Sequence, residues 1–232
     1  MPSPKPPELV TGGTGHRSRL RQRLIENGAD TLLDHEVVEA LLTLVLPRID
    51  TKPLAKALIH EFGGVAGLLT ADADAIIRVK GMGERSVAAI KIVQAAALRL
   101  LQDEVRSQPV LASWQGLLDY LRADMAHKTT ERVRVLHLNS KNMLVRDEIM
   151  SEGSIDQAVV HPREVIRRAI ELGSAAIILV HNHPSGDPAP SRADIQLTRD
   201  IVEAGKKLGI AVHDHIVIGA EGHSSMRALG LL

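Results

Sequence analysis

The spacing of apolar positions divides the chain into a helical first half and a mixed second half. Over residues 34–46 the apolar positions recur every three or four residues, which predicts an amphipathic helix with Asp34 as its N-cap and Pro47 after its end. A second helix with the same spacing is predicted over residues 51–62. Residues 16–104 are therefore expected to form an all-α domain.

The pattern changes after residue 112 to an alternation of strands and helices. Residues 131–138 largely alternate between apolar and polar side chains, a turn-rich segment follows, and a second strand is predicted over 143–150, so the two strands are expected to form a β-hairpin. Helices are predicted over residues 113–125, 162–172 and 191–208, and strands over 157–160, 176–180 and 213–218. This order predicts an α+β fold in which a mixed sheet is flanked by helices.

Proline-rich and glycine-rich stretches suggest the domain boundaries. Residues 1–15 are interpreted as a flexible tail, residues 105–112 as a linker, and residues 113–232 as the second domain. The sequence has no run of 18 apolar residues and no apolar segment near its N-terminus. We therefore expect a cytoplasmic protein without a membrane partner.

The amino-acid composition restricts which ligands and metal sites the protein can have. The 28 basic residues balance the 28 acidic ones, and aromatic residues make up 1% of the chain, so bulk charge and base stacking give no support for strong nucleic-acid binding. The chain has no cysteine, which excludes disulfides and thiolate zinc sites, including those of the zinc nucleoside deaminases. Any metal must be held by histidine and carboxylate groups.

Such groups are concentrated after the apolar strand predicted at 176–180. His181 and His183 are two apart and so point to the same side of an extended segment, and Ser191 and Asp194 open the next helix. Two histidines and a carboxylate, with a position left for water, are the ligands expected of a catalytic zinc site. The Ser-x-x-Asp spacing equally predicts a capping box, and the two interpretations are not exclusive.

A hydrolase also needs a base, and the predicted hairpin offers three carboxylates. Asp147 and Glu148 are adjacent on a strand, so only one of them can face the histidines. Glu152 follows two residues after the predicted end of this strand. Spacing alone does not choose between Asp147 and Glu148.

A second informative stretch lies at Gly81-Met82-Gly83, where one predicted helix ends and another begins. The glycines permit a tight turn, and the amides that open the new helix are suited to hold a phosphate, with Lys80 and Arg85 beside them. The stretch resembles a helix-hairpin-helix motif, which contacts the DNA backbone without sequence specificity. The other interpretation is a pair of helices packed for structure alone.

Over about residues 17–230 the sequence resembles the bacterial RadC family of the JAB/MPN metalloprotease superfamily. The matching features are His-x-His followed by seven residues and Ser-x-x-Asp, together with His161-Pro162-Arg163-Glu164, His181 to Gly186 (HNHPSG), Pro190-Ser191, Asp214-His215 and Gly219. The resemblance implies an N-terminal helix-hairpin-helix-like region, a JAB/MPN catalytic domain and hydrolysis of amide or isopeptide bonds.

The resemblance also implies roles for individual residues. One zinc per chain would lie on His181, His183 and Asp194, and Ser191 would hydrogen-bond the water or the developing oxyanion. The general base falls on Glu148.

Some of these roles stay open. The family's Gly-Thr-Leu is Gly153-Ser154-Ile155 in this chain, and Glu152 is the second choice for the base. Asp214 and His215 are interpreted either as hydrogen-bonded structure at the start of a strand or as groups that orient a ligand.

Three functions are consistent with these patterns. The first is a zinc-dependent peptidase that acts on a protein or peptide substrate. The second is a metal-dependent nuclease or DNA-repair factor. The third is a non-catalytic module that binds DNA and uses the metal only to stabilise its fold. The ligand types favour the first, because nucleases usually use oxygen ligands and magnesium.

Overall fold

The structure is a computed structural model that describes residues 12–153 and 160–232. The helices are α1 Gly12–Asn27, α2 Asp34–Val45, α3 Lys52–Phe62, α4 Val65–Thr70, α5 Ala73–Ile77, α6 Glu84–Ser107, α7 Trp114–Met125, α8 Pro162–Glu171 and α9 Arg192–Lys207, with a 3-10 turn at Ala29–Thr31. The strands are β1 Glu131–Leu138, β2 Leu144–Gly153, β3 Ala176–Asn182, β4 Ala211–Gly219 and β5 Gly222–Ser225. None of these helices is both long enough and apolar enough to cross a membrane.

The five strands form one mixed sheet in the order β2-β1-β3-β4-β5. Strands β3 and β4 are parallel, and the other neighbours are antiparallel. Helix α9 connects the two parallel strands, as a parallel crossover requires. The predicted α+β fold with a mixed sheet flanked by helices is confirmed.

Each face of the sheet carries its own apolar core, because alternate residues of β1 and β3 point to opposite sides. On one face, called the α7 face, Leu136, Ile178 and Val180 pack with α7 and with the second half of α6. On the other, called the α9 face, Val135 and Leu179 pack with α8 and α9. The sheet is therefore covered on both sides, which explains why all seven residues of β3 are buried.

The chain divides into two compact units. Of the described residues, those up to Leu69 and Ala73–Val93 form the first unit, and Thr70–Asp72 and those from Gln94 to Leu232 form the second. In the first unit, buried side chains from its successive helices form an apolar core: Leu20, Leu42, Leu58, Ile76 and Ile90. The sheet and helices α7 to α9 lie within the second unit.

Several element boundaries differ from the sequence expectations. Helix α1 begins at Gly12, inside the segment interpreted as a tail, and α6 continues to Ser107, inside the predicted linker. The two compact units part within α6, after Val93. Helix α6 consists mostly of residues that favour helix formation, and it ends at Ser107 because Pro109 follows two residues later.

Smaller differences concern single caps and strands. The N-cap of α2 is Leu33, and Asp34 is the first helical residue. Strand β5 is not expected from the sequence, because its residues Gly-His-Ser-Ser lack apolar alternation. The predicted strand at 157–160 falls mainly outside the described residues, and Val160, which is described, belongs to no strand.

Candidate metal centre

Three side chains of the α9 face meet at the end of β3. His181 Nε2 lies 2.9 Å from His183 Nε2, and Asp194 Oδ2 lies 3.5 Å and 3.6 Å from these two nitrogens. Each residue offers one ligand atom, and the three atoms lie within 4.8 Å of one another. The structure thus brings together the two histidines and the carboxylate that the sequence spacing predicts, and we call them the acceptor cluster.

Asp194 reaches the cluster because it lies in the first turn of α9. The Ser191 amide donates to Asp194 Oδ2 (2.7 Å), and the Asp194 amide donates to Ser191 Oγ (3.1 Å), so the predicted capping box is present. Burial raises the pKa of the Asp194 carboxyl, but the neighbouring His181 ring and the hydrogen bond from the Ser191 amide outweigh this effect and hold the pKa well below its usual range. The carboxylate is therefore ionised.

The loop between β3 and α9 is held against the end of β4. The His183 amide donates to the Ile218 carbonyl (2.9 Å), and the Glu221 amide donates to the Gly186 carbonyl (3.2 Å). Gly186 has a φ of 91°, and a Cβ built on Gly219 would lie only 2.1 Å from the Gly186 oxygen. Glycine at residue 219 therefore lets the loop approach closely enough to carry His183 into the cluster.

Asn182, between the two histidines, is a structural residue that is not predicted from the sequence. It is buried, its Oδ1 accepts from the Arg132 amide (2.9 Å), and its Nδ2 donates to the Thr130 carbonyl (3.0 Å). These bonds tie the end of β3 to the start of β1. Its place between two candidate ligands and within the HNHPSG run could have drawn attention to it.

His215 and Asp214 have different surroundings, because adjacent strand residues point to opposite sides. His215 Nε2 lies 2.8 Å from His181 Nδ1, so His215 directly contacts a member of the cluster. Asp214 instead accepts from the amides of His215 and Arg227 and from the Ser225 hydroxyl. Of the two sequence interpretations, His215 fits a group that orients a ligand, and Asp214 fits hydrogen-bonded structure.

The hydrogen bonds of His183 fix which of its nitrogens carries the proton. His183 Nδ1 lies 2.9 Å from the Asp187 carbonyl, which can only accept, so Nδ1 must be the donor. In the neutral ring Nε2 is then an acceptor, and it faces the acceptor Asp194 Oδ2. Two imidazole nitrogens and one carboxylate oxygen are the donor set that zinc prefers, so these residues fit that ion.

The sequence model of the RadC-like JAB domain matches residues 111–231, slightly more than half of the chain. The chain belongs to the RadC-like JAB family. The family resemblance, and with it the JAB/MPN superfamily, is confirmed for the part of the chain that contains the sheet, helices α7 to α9 and the acceptor cluster.

Glu148 lies on the same face of this JAB domain as the cluster but not within it. Glu148, in β2, is opposite Val135 of β1, whereas His181, in β3, is opposite Val133 of β1. Its carboxylate accepts from Arg168 Nε (3.0 Å) and Nη2 (2.9 Å), and His137 Nε2 lies 3.8 Å from it. Among the described residues, the hydrogen bonds and ion pairs of Glu148 go to Arg168 and His137 and not to the cluster. Its role as base therefore stays a prediction.

The other two carboxylates of β2 face away from the cluster. Asp147 accepts from the Tyr120 hydroxyl (2.6 Å) and from Arg134 on the α7 face, which agrees with the expectation that Asp147 and Glu148 point to opposite sides. Glu152 pairs with Arg132 at 2.5 Å and is opposite it in the sheet. Of the three, Glu148 alone shares the face of His181.

The glycine turn predicted to contact DNA lies outside the JAB match. Gly81 has a φ of 98°, but Gly83 has an ordinary φ, and its amide donates to Ser86 Oγ (3.0 Å). One of the amides expected to be free for a phosphate is therefore already used. Lys80 and Arg85 are exposed, and their role as DNA contacts stays a prediction.

Proposed function

We propose that this protein is a zinc-dependent hydrolase that cleaves amide bonds in a protein or peptide, including isopeptide bonds. The observation that carries the proposal is the acceptor cluster, in which His181, His183 and Asp194 present two nitrogens and one oxygen to a single point. The side chains of His183 and Asp194 remain 20% and 16% exposed, so the point is open to a substrate. Membership of the RadC-like JAB family supports a metal-dependent hydrolase or a repair-related function.

A zinc ion on these ligands would supply a Lewis acid and lower the pKa of water to about 7. Ser191 is suited to assist there, because its Oγ accepts from the Asp194 amide and its own hydrogen stays available. That hydrogen can be donated to the oxyanion that forms at the scissile carbonyl. A single donor of this kind contributes about 2.7–4 kcal/mol to stabilisation of the transition state.

Glu148 is the carboxylate best placed to move the proton from water to the leaving nitrogen. It is on the correct face, and its carboxylate is held there by two hydrogen bonds from Arg168. The β1 residues opposite Glu148 and His181 are two positions apart, so Glu148 and His181 are offset by about 7 Å along the strand direction. Glu148 must therefore turn away from Arg168, or act through a water molecule, when substrate is bound.

The metal part of the proposal is tested by zinc content. Purified wild-type protein should contain about one zinc per chain, and His183→Ala should contain none. The matched control is His161→Ala, which removes an exposed histidine at the start of α8 and should leave the zinc content unchanged. Normal zinc in His183→Ala would show that the cluster is not the metal site.

The catalytic part is tested with a mixture of fluorogenic peptides and lysine-isopeptide conjugates. Hydrolysis should require zinc, and Glu148→Gln should lower its rate by about 10²- to 10⁴-fold while keeping the metal. Glu152→Gln is the control and should keep most of the activity. A larger loss in Glu152→Gln than in Glu148→Gln would move the base to Glu152, and zinc-dependent cleavage of plasmid DNA, lost in Glu148→Gln, would favour the nuclease.

We also propose that the turn at Gly81 binds the DNA backbone without sequence specificity. The positive φ of Gly81 allows a tight turn before α6, and exposed Lys80 and Arg85 flank it. Binding to duplex DNA should weaken steeply as salt rises, and the slope should become smaller in Lys80→Ala. If the affinity for duplex DNA did not change with salt concentration, contact between this turn and the DNA backbone would be excluded.

A further inference from the structure

Thr198 lies one turn after Asp194 on α9 and is 1% exposed. Its Oγ1 is 2.6 Å from the Asp194 carbonyl, a bond in which the hydroxyl must be the donor because a carbonyl can only accept. The other acceptor within reach is Met226 Sδ at 3.5 Å, a longer and weaker contact. The single hydrogen of Thr198 is therefore directed to its own helix.

This donation sets the direction of the next bond. His215 Nδ1 lies 2.5 Å from Thr198 Oγ1, and because the hydroxyl hydrogen is already used, the ring nitrogen must be the donor. In the reverse direction, Thr198 would donate to His215, and its oxygen would then face the Asp194 carbonyl without a hydrogen between them. Two acceptors at 2.6 Å are unfavourable in a buried site.

The direction of the bond from His215 to Thr198 also determines the direction of the bond between His215 and His181. His215 is 1% exposed, and it faces Thr198 and His181 rather than a carboxylate, so its ring is neutral and only one of its nitrogens carries a proton. With that proton on Nδ1, Nε2 is an acceptor, and His181 Nδ1 at 2.8 Å must donate to it. His181 Nε2 then has a lone pair that points into the acceptor cluster.

We infer that Thr198 and His215 are positioning residues that fix the tautomer of His181 and leave its Nε2 free to bind a metal ion. The Asp187 carbonyl fixes His183 in the same way from the other side. All three groups of the cluster are then acceptors, with 2.9 Å between the two nitrogens and no hydrogen among them. A cation within the cluster would offset the repulsion among these acceptors, so the outer hydrogen bonds prepare the site for a metal.

The consequence for metal affinity rests on the proposed zinc site, but the direction of the bonds can be measured independently. Long-range ¹⁵N–¹H spectra of the full chain distinguish a proton on Nδ1 from one on Nε2. We expect His215 to carry its proton on Nδ1, with or without zinc. A proton on His215 Nε2 would overturn the inference, even if the protein binds zinc.

Zinc affinity, measured by competition with a chelator, tests the consequence. Thr198→Val removes the hydroxyl and should weaken zinc binding by about 10- to 100-fold, whereas Thr198→Ser restores it. The matched control is Ser174→Ala, which removes a buried hydroxyl from His137 (3.0 Å) away from the cluster and should leave affinity unchanged.

The possible outcomes separate the inference from the proposed function. Wild-type affinity in Thr198→Val, or equal losses in the Val and Ser variants, would contradict the positioning role. If the wild-type protein binds no zinc, the proposed function fails, and the spectra of His215 still decide the direction of the hydrogen bonds. If Thr198→Val does not fold, the wild-type spectra and the zinc affinity of Thr198→Ser still support or overturn the inference.

Discussion

Two polar clusters, one buried and one partly buried, lie on opposite faces of the same sheet, and they differ in how their hydrogen bonds are completed. On the α7 face, Arg134 pairs with Asp124 (2.5 Å) and Asp147 (3.2 Å), and the Tyr120 hydroxyl donates to Asp147. In this arginine cluster the two terminal nitrogens of Arg134 donate to acceptors of the same chain, and its Nε lies 3.2 Å from Asp147 Oδ1 as an ion pair. On the α9 face, the acceptor cluster has three acceptors that face one another.

The difference separates a structural cluster from a ligand site. The arginine cluster is closed, with Arg134 and Asp147 side chains only 6% exposed, and it needs nothing beyond the chain. The acceptor cluster is incomplete without a cation, and its hydrogen bonds to Asp187 and His215 keep it so. Burial and charge alone would not distinguish them, whereas the positions of the protons do.

The largest effect should come from removing charge within the acceptor cluster. Asp194→Asn keeps an oxygen for the Ser191 amide, so the helix cap survives, but it loses the anionic ligand. Zinc affinity should fall by more than the roughly 100-fold expected of an outer partner. Asp200→Asn, an exposed change on the same helix, is the control. Equal zinc affinity in the two variants would contradict the assignment.

Disruption of the arginine cluster should affect stability and leave the metal unchanged. Arg134→Met leaves Asp124 and Asp147 without their cation, which should lower the free energy of unfolding by about 3–5 kcal/mol in urea titrations. The control is Arg167→Met, which removes an exposed arginine paired with Glu164 and Glu171 and should change the free energy of unfolding far less. Loss of zinc in folded Arg134→Met would show that the two clusters are coupled.

A smaller effect is expected where the metal loop meets β4. Gly219→Ala places a methyl group against the Gly186 carbonyl, and the resulting overpacking should lower stability by about 1–3 kcal/mol. Because the same loop carries His183, zinc affinity should fall as well. Gly83→Ala, where a Cβ meets nothing within 4 Å, is the control for a glycine replacement. A loss of stability with unchanged zinc affinity would separate the loop from the site.

The sequence was sufficient to predict the parts of the site that depend on local geometry. The convergence of His181 and His183 follows from strand alternation, and the position of Asp194 follows from a helix cap. The same alternation would have separated Asp214 from His215. It could not reveal the contact between His181 and His215, which depends on the parallel pairing of β3 with β4. Thr198 also gave no signal, because a threonine inside a helix usually bonds to its own turn.

A buried histidine beside the proposed base should produce the smallest effect. Burial lowers the pKa of His137 to about 4, with Arg168 and Arg146 acting in the same direction and Glu148 opposing them. Between about pH 4 and its ordinary pKa near 6.5, the unfolded chain therefore binds more protons than the folded chain. Stability contributed by neutral His137 is present above this window and is lost as the pH falls through it.

Thermal unfolding in excess chelator, followed from about pH 7 to about pH 4, should show a shallower decline for His137→Leu than for the wild type. The chelator removes the separate pH dependence of zinc binding, and comparison of the two proteins cancels the contribution of buried His215. His161→Leu, at an exposed position, should keep the wild-type slope. A slope unchanged in His137→Leu would mean that His137 takes up its proton in the folded state, and that Glu148 has a cationic partner in addition to Arg168.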